Sequence, residues 1–133
     1  MGVTYLLDTH VLLWLLGSPG RVKAELREEL QKAENRLVVS AASAFEIAQK
    51  TRVGKLAGEP VLQSWSQLLQ EARILEIPLT GEDMILAGAL SWDHRDPFDR
   101  MIVSHAIRHR AQLVTADRVV LSAGLVRTVF AEA

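Results

Sequence analysis

The sequence predicts an α/β fold, a mostly parallel sheet flanked by helices on both faces, and three observations carry that expectation. Short β-favouring runs alternate with stretches of helical periodicity along the chain. The first of these runs stops abruptly at an acid, Asp8, as a buried central strand does at its carboxyl end. With 133 residues, 49% of them apolar, there is enough material for one core and too little for a second domain.

Residues 3–7 form the first strand, which puts Asp8 at a strand end. Residues 9–16 read as a short helix closed by Gly17, Ser18 and Pro19, and residues 21–34 carry Val22, Leu26, Leu30 and Ala33 at helical spacing. A second strand covers 36–39, after which Ser40 is a good N-cap for a helix from 41 to about 52, stopped by Gly54. Residues 60–73 look like one amphipathic helix and 74–77 like a strand ended by Pro78. Thr80 with Asp83 resembles a capping box opening a helix to 92. Asp96 fits an N-cap and Pro97 a first helical position for a helix to about 110. A strand over 112–115, a short helix after Asp117 and a final strand over 125–129 complete the chain, and with no repeat or linker residues 1–133 read as a single domain.

The formal net charge is −1, so no broad basic surface is available for a nucleic-acid duplex or an anionic membrane, and a polyanion must be held locally. Cysteine is absent, which excludes disulfides and thiolate zinc sites and fits a reducing cytoplasm. The apolar stretch 11–16 follows Asp8 and His10 with no basic residue before Arg21, so neither a signal peptide nor a membrane span is expected.

The acids are the candidate functional residues. In an open parallel sheet, ligands bind beyond the carboxyl ends of strands, where Asp8 and Asp117 lie, although each is also placed to cap the following helix. Glu46 stands mid-helix at the edge of the stripe formed by Ala41, Ala44, Phe45 and Ala48, and Lys50 one turn on makes it equally readable as half of a helix ion pair. Asp99 falls at the third helical position after Asp96, within the dense polar run from His94 to Arg100. Carboxylates sharing a crevice repel and raise one another's pKa unless a cation neutralises them. Hard oxygen ligands suit Mg²⁺ or Mn²⁺, and such an ion serves phosphodiester hydrolysis.

Four blocks, Leu7-Asp8-Thr9-His10 through Trp14, Ser40 through Ile47, His94 through Arg100, and Leu113 through Asp117, together resemble the PIN-domain nucleases, specifically the VapC-like toxins of bacterial toxin–antitoxin pairs. Phe45 departs from the Trp that many relatives carry before the acid. The resemblance implies a parallel sheet of about five strands, with Asp8, Glu46, Asp99 and Asp117 as catalytic, metal-binding acids and Asp96 as an auxiliary ligand. It implies Mg²⁺ or Mn²⁺ as cofactor, single-stranded or loop RNA as substrate, a small antitoxin as partner and a homodimer. Thr9 and Thr115 are candidates to orient metal-bound water or another acid, or else to cap helices. Lys50, Arg52, Lys55, Arg95 and Arg100 could give a local basic rim for RNA; His94, Arg95 and Arg100 either touch RNA, balance charge or form a solvated face. The apolar faces of Val11, Leu12, Trp14 and Leu15 and of Val22, Leu26 and Leu30 are either an antitoxin groove or core, core being the better fit for most.

Three other classes share parts of this pattern. A receiver domain needs paired acids after the first strand and a late lysine, whereas Asp8 stands alone and the last lysine is Lys55. A zinc hydrolase could use His105 and His109, four apart, but the intervening residues lack the glutamate base of the zincin motif. A non-cutting PIN-like scaffold, or a housekeeping PIN nuclease, remains as the alternative to a toxin; a degenerate scaffold would be expected to lose some of the acids.

Overall fold

A computed structural model describes residues 2–133. The chain runs β1 (Thr4–Leu7), α1 (Thr9–Gly17), a 3₁₀ turn (Pro19–Arg21), α2 (Ala24–Leu30), β2 (Arg36–Ser40) and α3 (Ala41–Arg52). It continues with α4 (Glu59–Gln63), α5 (Trp65–Glu71), β3 (Ile74–Ile77), α6 (Gly81–Ala89) and α7 (Pro97–Arg108), then β4 (Gln112–Thr115), α8 (Arg118–Ala123) and β5 (Thr128–Phe130). The five strands pair in parallel in the order β3-β2-β1-β4-β5. The chain therefore winds outward from β1 on one side and resumes on the other with β4. The switch point lies at the carboxyl ends of β1 and β4, where open α/β sheets bind ligands.

Strand alternation divides the core in two. Tyr5, Leu7, Val39 and Val114 point to one face, under Val11, Leu12 and Trp14 of α1, Leu26 and Leu30 of α2 and Leu69 of α5. Leu6, Val38 and Leu113 point to the other, under Ala87 of α6, Met101, Ile102 and Val103 of α7 and Val120 of α8. Helix α3 serves both, with Ile47 in the first cluster and Ala42 in the second. Both faces are covered, as the pattern predicts. Val11, Leu12, Trp14, Val22, Leu26 and Leu30 are all buried here, so they are core and not a partner's groove.

Four elements differ from expectation by more than a residue or two at an end. The predicted helix over 60–73 is broken at Ser64 (φ −124°, ψ 29°) into α4 and α5. The helical pattern from 21 begins only at Ala24, because Pro19–Arg21 is a 3₁₀ turn and Val22 is drawn into an antiparallel bridge with Glu132. Helix α6 ends at Ala89, and Leu90 turns out of the helix at φ −55°, ψ 131°. The last strand is displaced to Thr128–Phe130, since Leu125 and Val126 pack into the second core cluster instead.

Candidate metal centre

Asp8 follows β1 directly. Its Oδ1 accepts from the Thr9 amide at 2.8 Å, capping α1, and its Oδ2 accepts from Thr115 Oγ1 at 2.6 Å. Thr115 ends β4, and the same hydroxyl accepts from the Asp117 amide at 3.0 Å. One threonine thus ties the two strand-end acids to each other. Burial pushes the Asp8 carboxyl above its ordinary pKa, the Thr115 and Thr9 hydrogen bonds oppose this, and the charge of Glu46 adds to the rise. Asp117 is exposed and caps α8 through the Val119 and Val120 amides.

Asp96 caps α7 through the Phe98 amide at 2.9 Å and the Asp99 amide at 3.4 Å. The Asp99 side chain is 12% exposed, and its Oδ2 lies 2.7 Å from His94 Nε2. Burial chiefly drives the Asp99 pKa up, to about 6; His94 opposes the rise, and the charges of Asp96, Asp8 and Asp117 reinforce it. The structure thus brings these acids within electrostatic reach of one another around the carboxyl ends of β1 and β4.

Glu46 is deeply buried in α3, not at the edge of its face, and carries Lys50 Nζ on Oε2. Burial would lower the Lys50 pKa, but the Glu46 hydrogen bond and the charges of Glu46, Asp96 and Asp99 outweigh it and raise it. Lys50 is therefore a counter-ion within the acidic group and not a free phosphate contact.

The other sequence-predicted residues divide. Thr9 Oγ1 lies 2.8 Å from Ser43 Oγ, a buried link between α1 and α3. Arg52, Lys55 and Arg95 are exposed. Arg100 donates to the carbonyls of Ala87, Gly88, Leu90, Trp92 and His94, which uses all five guanidinium N–H groups and leaves none for RNA. The sequence places His94 as an RNA contact, a charge balance or part of a solvated face. Yet donor atoms of His94, Asp96 and Asp99 lie within 4.8 Å of one another, a tighter group than the predicted four acids form. Its ring is tilted against that of Trp92, centroids 4.9 Å apart, and the loop conformation that brings it there carries no sequence periodicity.

Asp83, His105 and His109 also offer donors within 4.8 Å. There, however, Arg108 Nε is paired with Asp83 Oδ1 at 2.7 Å, while Oδ2 takes the Thr80 amide, the Thr80 hydroxyl and His105 Nε2. A carboxylate already neutralised by a guanidinium is a poor cation ligand, and this group joins α6 to α7. The Asp8–Asp99 group is the opposite case. Burial chiefly raises its pKa values and the charges of neighbouring acids add to the rise, and a hard divalent cation on the carboxylate oxygens would relieve both.

Asp99 makes this testable without metal. An acid whose folded pKa is raised from 3.8 to about 6 adds stability that is fully present below its unfolded pKa and lost as pH rises through about 6. Urea titrations of metal-free protein are expected to show the stability difference, wild type minus Asp99→Asn, falling as pH rises from 4 to 7. A difference that grows with pH contradicts the burial argument.

The PIN domain model matches residues 5–124. Ribonuclease VapC22 of Mycobacterium tuberculosis is 34% identical over 116 residues, covering 86% of this chain and 88% of that protein. Among solved structures, VapBC2 from Rickettsia felis, bound to a DNA fragment of its promoter, superimposes with a TM-score of 0.73 at 20% identity, covering 98% of this chain and 100% of that one. VapBC-1 from nontypeable Haemophilus influenzae superimposes with a TM-score of 0.69 at 20% identity, covering 96% of this chain and 97% of that one. These two share the fold. With the family model spanning β1 to the end of α8 and a relative at 34% identity along nearly the whole chain, this protein belongs to the PIN-domain family.

Proposed function

We propose that the chain is a Mg²⁺- or Mn²⁺-dependent endoribonuclease of the cytoplasm and the toxin of a toxin–antitoxin pair. The observation that carries the reading is the placement of Asp8 and Asp117 at the carboxyl ends of β1 and β4, linked through Thr115, with Asp99 near enough that their charges and that of Asp96 act on it. The similarity to a protein named a ribonuclease supports RNA as the substrate. Similarity to toxin–antitoxin complexes supports a protein antitoxin.

Asp8, Asp99 and Asp117 would hold the ion, with Asp96 and Glu46 beside them. A bound ion supplies Lewis acidity at a phosphodiester and lowers the pKa of water. The chain's own residues do the positioning. Thr115 fixes Asp8, His94 fixes Asp99, and Lys50 balances Glu46. Exposed Arg52, Lys55 and Arg95 would meet phosphates of an unpaired strand, whose backbone, unlike a duplex, can bend into a local crevice. Among the described residues no helix is long and apolar enough to cross a membrane.

Incubation of purified protein with a single-stranded RNA tests the reading. Cleavage is expected to vanish in EDTA and return with Mn²⁺ or Mg²⁺; an equal rate in EDTA overturns it.

A further inference from the structure

Arg100 follows Asp99 on α7, yet its side chain reaches back to the end of α6 and the loop beyond. Nε donates to Ala87 O at 2.8 Å, and Nη2 donates to Gly88 O at 3.3 Å and Leu90 O at 2.7 Å. The Ala87 and Gly88 carbonyls belong to the last turn of α6, which leaves them without partners inside the helix. Leu90 leaves the helix in an extended conformation with no left-handed glycine to close it, so Arg100 caps α6 from a different helix.

Nη1 serves the loop. It donates to Trp92 O at 2.7 Å and to His94 O at 2.9 Å, the two residues whose rings pack against each other. Trp92 is itself packed on the second core cluster. His94 is consequently gripped at both ends by neighbouring residues of one helical turn, its carbonyl by Arg100 and its Nε2 by Asp99. Asp99 Oδ2 is taken by His94, and among the described residues Oδ1 accepts no hydrogen bond.

We propose that Arg100 is a positioning residue for phosphodiester cleavage: by clamping the segment 87–94 through five carbonyls it sets His94 against Asp99, and so fixes which carboxylate oxygen is open to an ion. The inference rests on the reading of Asp99 as a metal-holding acid. It assigns a single function to a cation that sequence reasoning placed on the RNA rim. Lysine cannot replace it, because one ammonium has three donors and no planar fork.

The test combines Arg100→Lys, His94→Ala and the double variant, each checked for cooperative melting. Loss of a partner that orients a metal ligand costs about 10- to 100-fold. Arg100→Lys is therefore expected to lower kcat by about 10- to 100-fold with KM unchanged, His94→Ala to do the same, and the double variant to be no slower than His94→Ala alone. Wild-type kcat in Arg100→Lys overturns the proposal. So does a rise in KM instead of a fall in kcat, which is the signature of an RNA contact, or losses that multiply in the double variant.

A second readout needs neither metal nor RNA. In metal-free protein, the ¹⁵N resonance of His94 Nε2 is expected to move in Arg100→Lys toward that of a free imidazole, and an unchanged resonance also overturns the proposal. If wild-type cleavage proves indifferent to EDTA, the metal reading fails and this spectrum still decides the positioning. Should Arg100→Lys fail to fold, Arg100→Gln, which keeps part of the stem and two donors, takes its place in both measurements.

Discussion

Asp99→Asn is expected to fold normally and to cleave RNA roughly 10³-fold more slowly than wild type in saturating Mn²⁺. The size follows from the several kcal/mol of transition-state stabilisation that a correctly held cation supplies, at about 1.4 kcal/mol per tenfold. The fold is spared for a local reason. Asparagine keeps the shape of the side chain and an oxygen for His94, and it removes a charge that burial and the charges of Asp96, Asp8 and Asp117 disfavour. Loss of activity should therefore accompany an unchanged or slightly raised melting temperature near pH 7. Single-turnover cleavage and a thermal melt on the same preparation separate the two. Wild-type kcat removes Asp99 from the metal-holding set, and a collapsed melt makes it structural.

Asp83→Ala is expected to produce the largest loss of stability among single changes to the charged network. Asp83 is 2% exposed; it closes the capping box of α6 with Thr80, receives His105 Nε2 at 3.1 Å and pairs with Arg108. Truncation leaves His105, wholly buried, with no partner at Nε2. Breaking a buried charged contact costs about 3–5 kcal/mol. That corresponds to a melting temperature lower by roughly 10–20 °C in a domain of this size. Burial raises the Asp83 pKa, but the Thr80 amide and hydroxyl and His105 outweigh it and hold the group near 2. A depressed carboxyl stabilises the fold above its unfolded pKa of about 4 and ceases to do so as pH falls through about 2. The deficit of Asp83→Ala should thus be full at pH 5–7 and shrink toward pH 2. Urea midpoints across that range decide it, and a deficit below 1 kcal/mol at pH 7 contradicts the network's assigned role.

The parallel sheet was legible because the first four strands each carry a compact apolar or β-branched run ending at a turn or an acid. The predicted spans for β3 and β4 coincide with those observed. Caps were legible for the same reason: Ser40, Thr80, Asp96 and Asp117 each bond an amide within three residues, an interaction local in sequence. What escaped reading is non-local. Amphipathic spacing continues through Ser64, so the break between α4 and α5 is invisible to it. Glu46 belongs to the buried side of α3 because Asp8, Lys50 and the α7 acids meet there, which helical periodicity alone cannot report.

Arg100 and Thr9 illustrate the same limit at the site. A cation in a polar run and a hydroxyl beside an acid were assigned by proximity in sequence to RNA and to the acids. Their partners turned out to be carbonyls up to thirteen residues away and Ser43 on another helix. Sequence order singled out the acids as candidates, whereas the hydrogen bonds that hold them depend on loop conformation. His94 lies at that boundary, noticed within the run from 94 to 100 and given its place against Asp99 by the clamp on its carbonyl.

The acids at the carboxyl ends of β1 and β4 are proposed as a seat for a divalent cation. Diffraction from crystals equilibrated with Mn²⁺, recorded for its anomalous signal, tests this most directly. The expected result is a peak about 2.1 Å from carboxylate oxygens of Asp8 and Asp99, absent in Asp99→Asn. A structure at saturating Mn²⁺ with no peak there, or with one only at Asp83, His105 and His109, would contradict the account.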